Sequence, residues 1–473
     1  MICAAISEQS AEDAVNVGID SASIGADLVE VRFDSIQEIP QDLSVFQKIP
    51  VPKIATFRTL SQGGKCNFDE ERLDFFRECS KYFEYIDIEY DSKLSDMQFD
   101  NCKKIVSYHD FLKTPPAEII EKIITNLQKK ACIAKAAFYV RSVTDLYEII
   151  TASQHLTGSY ILIGMGELGE LTRICYDTLG SEITYASPCI GKETAAGQID
   201  VKSLKKLGKG CCLTGIIGNP VSHSRSPDMH NAAFRSLGIN GHYFRFRCEE
   251  NELEKIVHII RVLGMKGMNV TIPYKQKIME YIDEVDKTAE DAGAVNCIMN
   301  EGNQLKGMNT DIAGFRESFK AAGVCVRDKN SLIIGAGGAA RACAAFLSEE
   351  HSEIKITNRT KEKAEKLAKE FNGTVVDSAD TDSDIIINCT PIGMEGFEKE
   401  SIFQECLFNK NQTVMDAVPV PEITKFLEKA KECGAHIISG REMLIYQVMD
   451  AFETWTGLKP DYSVMSKAYG ETR

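Results

Sequence analysis

Between residues 2 and 186 the chain repeats one pattern: a short run rich in apolar and β-branched residues, followed in most cases by a segment long enough for a helix. The runs fall at 2–6, 27–33, 53–57, 85–89, 104–108, 131–138, 160–165 and 183–186. Helix-length connections return the chain to the same end of a sheet, so strands joined this way lie parallel. Eight such units in about 200 residues predict a (β/α)8 barrel, with an open doubly wound sheet as the alternative.

The polar residues fall where a barrel would gather them. Glu30, Arg32, Arg58, Glu89, His109 and Lys135 lie within or at the ends of these runs, and Arg173, Thr194 and Gln198 follow the last two. A barrel brings strand ends and the loops after them to one face, so residues distant in sequence converge on one pocket. Taken singly, each reads as a solvated strand terminus; the whole set does not. Lys135 sits in ACIAKAAFYV, an otherwise apolar strand. Burial disfavours an ammonium and yields a neutral amine able to attack a carbonyl, although a lone lysine more often snorkels or pairs with a carboxylate. His109, at the end of the preceding strand, adds a group for proton transfer.

A lysine-rich stretch at 201–209 reads as a linker, and a new series of strands and helices begins at 214–217. Within 329–358 come a strand, a glycine-rich turn, a helix and a second strand. The expected domains are therefore 1–205 and 210–473. The second divides into a lobe at about 210–327 and a nucleotide-binding lobe at about 328–440, and a closing helix at 441–457 returns to the first lobe. The turn reads Gly335-Ala336-Gly337-Gly338-Ala339-Ala340, a GxGxxA pattern in the strand–helix setting that puts a pyrophosphate at a helix N-terminus. After the next strand come Asn358, Arg359 and Thr360, a basic residue and a hydroxyl where an NAD site usually carries an acid, which favours NADP.

Composition narrows the partners. A formal charge of -15 argues against nucleic acid or an anionic membrane, and no apolar run reaches bilayer length. Sixteen cysteines without a CxxC pair or zinc-like spacing predict free thiols in a reducing cytoplasm and no metal site. The start, MICAAISEQSAED, lacks the basic and apolar regions of a signal or transit peptide.

The strings ADLVEVRFD, ATFRTLSQGGK, IVSYHDF, the strand lysine, GMGELGELTRI and TAAGQ resemble the type I 3-dehydroquinate dehydratases in order and spacing across residues 1–200. That resemblance implies a Schiff base on Lys135, with His109 moving protons. Arg173 would clamp the substrate carboxylate, Glu30, Arg32 and Arg58 would hold the ring, and Thr194 and Gln198 would form a closing loop. Gln62 stands where relatives often have glutamate, and TAAGQ where serine and proline are common.

Across residues 213–473, GIIGNPVSHSRSPDMHNAAF, GMNVTIPYKQK, AGAVN, GMNTDIAGF and NCTPIGM resemble the shikimate dehydrogenases. On its own, Ser226 before Pro227 reads as a helix cap. The resemblance implies instead that Ser224 and Ser226 take the substrate carboxylate and that Thr271, Asn296 and Gln447 take the ring hydroxyls. Lys275 and Asp311 become the catalytic pair, and Thr390, Met394 and Gly440 lie near NADP. Pro419 stands where relatives often have tyrosine.

Together these imply a fused enzyme that dehydrates 3-dehydroquinate and reduces 3-dehydroshikimate to shikimate, with small-molecule substrates only. The competing readings are a class I aldolase for the first half, a quinate dehydrogenase for the second, and a regulatory relative without catalysis. The last predicts losses among Lys135, His109, Lys275 and Asp311, and all four are present.

Overall fold

In the first eight strands, inward-facing positions change character along the strand. They are apolar near the start (Cys3, Leu28, Ile54, Ile105, Ile133, Ile161, Ile183) and polar toward the end (Glu30, Thr56, Asp87, Ser107, Lys135). In the computed structural model these are β1 (Ile2–Ile6), β2 (Leu28–Arg32), β3 (Lys53–Thr56), β4 (Tyr85–Glu89), β5 (Lys103–Asp110), β6 (Ile133–Tyr139), β7 (Tyr160–Met165) and β8 (Thr184–Ala186). The structure describes residues 1–66, 70–99, 101–208, 210–376, 382–394, 397 and 408–470.

The strands pair in parallel in the order β7-β6-β5-β4-β3-β2-β1-β8. The remaining seam, between β7 and β8, is closed by the Glu182 amide donating to the Tyr160 carbonyl at 2.9 Å and the Leu162 amide to Ser181 Oγ at 3.0 Å. The result is a nearly closed parallel α/β barrel, not an open sheet. Its floor is the apolar layer and its mouth the polar one, the arrangement expected when a barrel core is packed and its chemistry sits at the strand C-termini.

The stretch at 201–209 is not a free linker. Val201–Leu207 forms a helix capped by Asp200, whose side chain accepts from the Ser203 amide. Val201 and Leu204 are buried, while Lys205 and Lys206 supply positive charge to its last turn. Lys209, the end of that stretch, lies outside the described residues. The chain divides into two compact units, Met1–Cys211 and Cys212–Arg473.

The second unit carries two sheets. The first contains β9 (Cys212–Gly218), β10 (Gly241–Arg247), β11 (Gly267–Val270), β12 (Glu284–Val285), β13 (Cys297–Glu301) and β14 (Gln304–Met308), in the order β10-β9-β11-β13-β14-β12. The other contains β15 (Asn330–Ile334), β16 (Glu353–Thr357), β17 (Thr374–Val375), β18 (Ile385–Asn388), β19 (Thr413–Asp416) and β20 (His436–Ile438). Its order, β17-β16-β15-β18-β19-β20, reverses direction between β15 and β18, the switch point at which such sheets bind ligands. The helix Gly440–Thr456 returns to the first sheet, where Ile445, Val448, Phe452 and Trp455 pack with Ile216, Met229, Phe234 and Tyr243. Among the described residues, no helix is long and apolar enough to cross a membrane.

Trp455 is the sole tryptophan, buried at 2% exposure, and its indole N–H donates to the Ile298 carbonyl at 3.0 Å. A Cβ added at Gly267 would meet its Nε1 at 2.0 Å. Gly267→Ala is therefore expected to overpack this core by about 1–3 kcal/mol. Urea unfolding followed by tryptophan emission should show an earlier midpoint; an unchanged midpoint would refute the packing argument.

Candidate active sites

The barrel mouth holds a closed set of charges. Lys135 Nζ, on β6, lies 2.9 Å from Asp87 on β4 and 3.7 Å from Glu30 on β2, and sits 4.0 Å above the Tyr185 ring. Arg58 binds the same Asp87 with both terminal nitrogens, at 3.0 and 2.9 Å, and donates to Ser107 Oγ at 2.7 Å. It also approaches Glu89 at 3.5 Å and Glu30 at 3.8 Å. Behind it, Arg72 pairs with Glu89 while Glu89 accepts from the Thr59 amide at 2.9 Å. Each of these six side chains is almost fully buried. Burial alone would raise the Asp87 pKa, but Arg58 and Lys135 hold it far below the usual carboxylate range. Burial likewise opposes the Arg58 charge, and Asp87 and Glu89 more than restore it.

Of the two readings of Lys135, a neutral amine or a lysine paired with a carboxylate, the structure shows the pairing. Its nitrogen is ion-paired, because β4 presents Asp87 to the same interior face two residues before Glu89. The sequence reading passes over Asp87 and Ser107. The signal was there: both sit at i−2 from a residue already singled out, Glu89 and His109, so the strand alternation places them on the same side.

His109 lies one inward position beyond Ser107, which is in register with Lys135. Its backbone amide donates to Gln62 Oε1 at 3.0 Å and its Nδ1 lies 3.3 Å from the same oxygen. An amide oxygen only accepts, so Nδ1 carries the hydrogen in this contact and Nε2 is left as the basic nitrogen. Burial, then the positive charges of Arg58 and Lys135, push the His109 pKa well below 6.5.

Arg32 is tied to Asp34 by two hydrogen bonds, at 2.9 and 2.8 Å, and Asp34 also accepts from the Arg58 amide at 3.2 Å. Thr194 and Gln198 bond to each other, with the Thr194 amide donating to Gln198 Oε1 at 2.7 Å. Arg32 and Thr194 line a cavity of about 370 Å³ at the mouth. Arg173 is 2% exposed and donates to the Tyr185 carbonyl at 3.1 Å, while its Nε has no partner among the described residues. Burial lowers its pKa to about 10, with Glu170 alone opposing.

In the second unit, Lys275 pairs with Asp311, which opens the helix Asp311–Ala321. The other Asp311 oxygen accepts from Asn296 Nδ2 at 2.8 Å. Asn296 also donates to Thr310 Oγ1 at 3.0 Å and approaches Gln447 Oε1 at 3.4 Å, so four of the expected residues form one buried cluster. Thr310, which accepts and donates within it, was not anticipated. Thr271 is half-buried, its amide bonded to the Ile217 carbonyl at 2.9 Å. Ser224 and Ser226 lie at the start of the helix Ser226–Ser236, the Ser226 amide donating to Ser224 Oγ at 3.3 Å.

The glycine turn runs from β15 into the helix Gly338–Glu349. Gly335 has φ 116°, a conformation that favours glycine, and a Cβ at Gly338 would meet the Lys275 side chain at 2.9 Å, so the turn lies directly against the Lys275–Asp311 pair. Ala336 and Ala339 belong to this turn. Asn358 Nδ2 donates to the Thr360 carbonyl at 2.8 Å beside the exposed Arg359. Thr390 Oγ1 donates to Asn388 at 2.7 Å in the loop that also holds Met394. A Cβ at Gly440 would strike the Val418 carbonyl at 2.5 Å, and the Pro419 carbonyl accepts from Tyr469.

Two units with these two constellations have counterparts. The type I 3-dehydroquinase profile matches residues 2–209. The shikimate dehydrogenase substrate-binding profile matches 216–298, the shikimate/quinate 5-dehydrogenase profile 318–431, and the shikimate 5′-dehydrogenase C-terminal profile 440–468. The chloroplastic bifunctional 3-dehydroquinate dehydratase/shikimate dehydrogenase of Arabidopsis thaliana is 31% identical over 513 residues, spanning 99% of this chain and 84% of that protein. The chain belongs to this bifunctional family. Its first unit is a type I 3-dehydroquinase and its second a shikimate dehydrogenase. The second unit is also similar to the NADP(+) shikimate dehydrogenase of Methanocaldococcus jannaschii, 44% identical over 271 residues, covering 54% of this chain and 95% of that one. A crystal structure of a shikimate dehydrogenase in complex with NADP+ matches with 42% identity and a TM-score of 0.53, over 55% of this chain and 94% of that one. The Thermus thermophilus enzyme in complex with NADP(H) and shikimate matches with 35% identity and a TM-score of 0.52, over 54% and 98%.

In the dehydroquinase unit the depressed His109 pKa has a consequence for pH. The neutral imidazole is lost only as pH falls through the folded pKa, which lies well below 6.5. The acid limb of kcat/KM for dehydration is therefore expected well below pH 6.5. Gln62→Glu, placing a carboxylate against Nδ1, should move that limb upward by about one pH unit. A limb that stays put in the variant would show that this contact does not govern the base.

Proposed function

We propose that residues 1–205 dehydrate 3-dehydroquinate through a Schiff base on Lys135, and that residues 210–473 reduce the resulting 3-dehydroshikimate to shikimate with NADPH. The observation that carries the first half is Arg173: a buried cation with no carboxylate at ion-pair distance among the described residues and an unpartnered Nε. A buried charge of this kind calls for an anion, and the substrate carboxylate fits its planar fork.

Lys135 gives up a proton to neutral His109 on the neighbouring strand, a role supported by the lowered His109 pKa. The amine then adds to the substrate ketone, His109 hands its proton to the carbinolamine hydroxyl, and loss of water leaves the iminium and a neutral imidazole. His109 next removes the proton beside the imine carbon and gives it to the departing hydroxyl, and water then hydrolyses the imine and frees Lys135. Asp87 stays ionised and, with Glu30 beside it, balances the iminium charge, while Arg58 fixes both. Arg32 holds the ring hydroxyls, and Thr194 with Gln198 closes the loop that keeps water out of the pocket.

In the second half, Ser224 and Ser226 hold the carboxylate, and Thr271, Asn296 and Gln447 the ring hydroxyls. Lys275 gives its proton to the oxygen of the reduced ketone, and Asp311 orients both. NADPH supplies the hydride when bound. The residues present fit it: a Cβ at Gly337 would meet nothing within 4 Å, so the backbone at the helix start is open to a pyrophosphate. Gly335, Ala336, Gly338 and Ala339 complete that turn, Asn358, Arg359 and Thr360 suit a 2′-phosphate, and Thr390, Met394 and Gly440 border the nicotinamide side. The described cysteines are free thiols, which suits a cytoplasmic enzyme of small-molecule substrates.

Wild type supplied with 3-dehydroquinate should consume NADPH. Lys135→Ala should not, and 3-dehydroshikimate should restore consumption in that variant. Borohydride added during turnover should fix substrate mass on the Lys135 peptide. Mass elsewhere, or NADPH use by Lys135→Ala with 3-dehydroquinate, would overturn the Schiff-base assignment. Arg359→Ala should weaken NADPH roughly tenfold or more while leaving NADH nearly unchanged.

A further inference from the structure

The two serines proposed to hold the shikimate carboxylate bring no charge of their own, yet a carboxylate leaving water requires compensation. On β10, alternate residues share a face: Tyr243 and Arg245 point the same way. Tyr243 is buried against the helix Ser226–Ser236, its ring stacked on His230 at 4.2 Å, and its hydroxyl donates to Asn269 at 2.7 Å. This face of β10 meets the serine turn through Arg245. Arg245 Nη2 donates to the Ser224 carbonyl at 3.0 Å. Its Nε is buried without a hydrogen-bond partner among the described residues. The nearest acid, Asp228, stands at 3.9 Å, at the outer edge of ion-pair range and one third exposed.

We propose that Arg245 is a specificity-determining residue of the second unit: it fixes the Ser224 backbone and supplies the positive charge that makes the serine subsite select a carboxylate over a neutral group. This rests on the proposal that Ser224 and Ser226 bind the carboxylate. The loose Asp228 contact leaves the guanidinium charge largely available to a substrate anion, and among the described residues no hydrogen bond or ion pair joins Arg245 to Lys275. Its effect falls on binding of the acid, not on the chemical step.

The experiment uses the full chain and follows NADP+ reduction with shikimate and with its methyl ester, which keeps the ring hydroxyls and removes the charge. Wild type should prefer the acid. Arg245→Gln should raise KM for shikimate about tenfold, with kcat and the ester KM little changed, so that the acid preference collapses. Arg245→Lys should keep most of the preference. A structural role would instead depress turnover of acid and ester together, and that result, or an unaltered preference, overturns the inference. Should Arg245→Gln fail to fold, Arg245→His decides: its acid preference relative to wild type should fall as pH rises through the imidazole range, and a pH-independent ratio counts against the charge. Failure of the underlying assignment looks different. Wild type inactive on shikimate, or Ser226→Ala weakening acid and ester equally, removes the serine subsite whatever Arg245 does.

Discussion

Asp87 is the group around which the barrel mouth is built. It is fully buried, it is shared by Arg58 and Lys135, and it accepts from Ser107 at 2.6 Å. Three carboxylates (Glu30, Asp87, Glu89) and three cations (Arg58, Arg72, Lys135) balance beneath the pocket. Removing one member would strand the others in a medium that cannot solvate them. The cluster therefore fixes where the Lys135 nitrogen sits while keeping its charge compensated, two demands that would conflict for an isolated lysine in an apolar strand.

The second unit solves a similar problem with fewer charges. Lys275 and Asp311 form one pair, and neutral groups hold the rest: Asn296, Thr310 and Gln447 exchange hydrogen bonds around the aspartate. The glycine turn pressed against Lys275 brings the nucleotide lobe to this pair without a side chain between them. One unit buries its lysine in a charged cluster; the other leaves its lysine accessible at 16% side-chain exposure.

Much of this was legible because periodicity and chemistry agree. Runs at 2–6, 85–89 and 160–165 coincide with β1, β4 and β7, where apolar residues fill both faces or alternate cleanly. What escaped was concealed by the same rules. Asp87 lies in YIDIE, where an acid between isoleucines looks like an outward residue until it is set beside Glu89, two positions on and facing the same way. The helix Val201–Leu207 was hidden by its lysines: a buried face carried by Val201 and Leu204 alone, three residues apart, is too narrow to stand out. Thr310 needed the fold, since its partners Asn296 and Gln447 lie far from it in sequence. The GxGxxA turn, by contrast, declares itself, because local backbone geometry demands those residues.

The order of strands around the barrel places β1 beside β8, and the helix that follows β8 packs on β1. The polypeptide thus departs from the barrel next to the point at which it entered, with every strand already paired. A unit of this topology can be carried whole into a longer gene, since an extension beyond its final helix threads through nothing and disturbs no register. The same adjacency would allow the old ends to be joined and new ones opened in another loop, so that connectivity, unlike the charge cluster, is a freely variable property of this barrel.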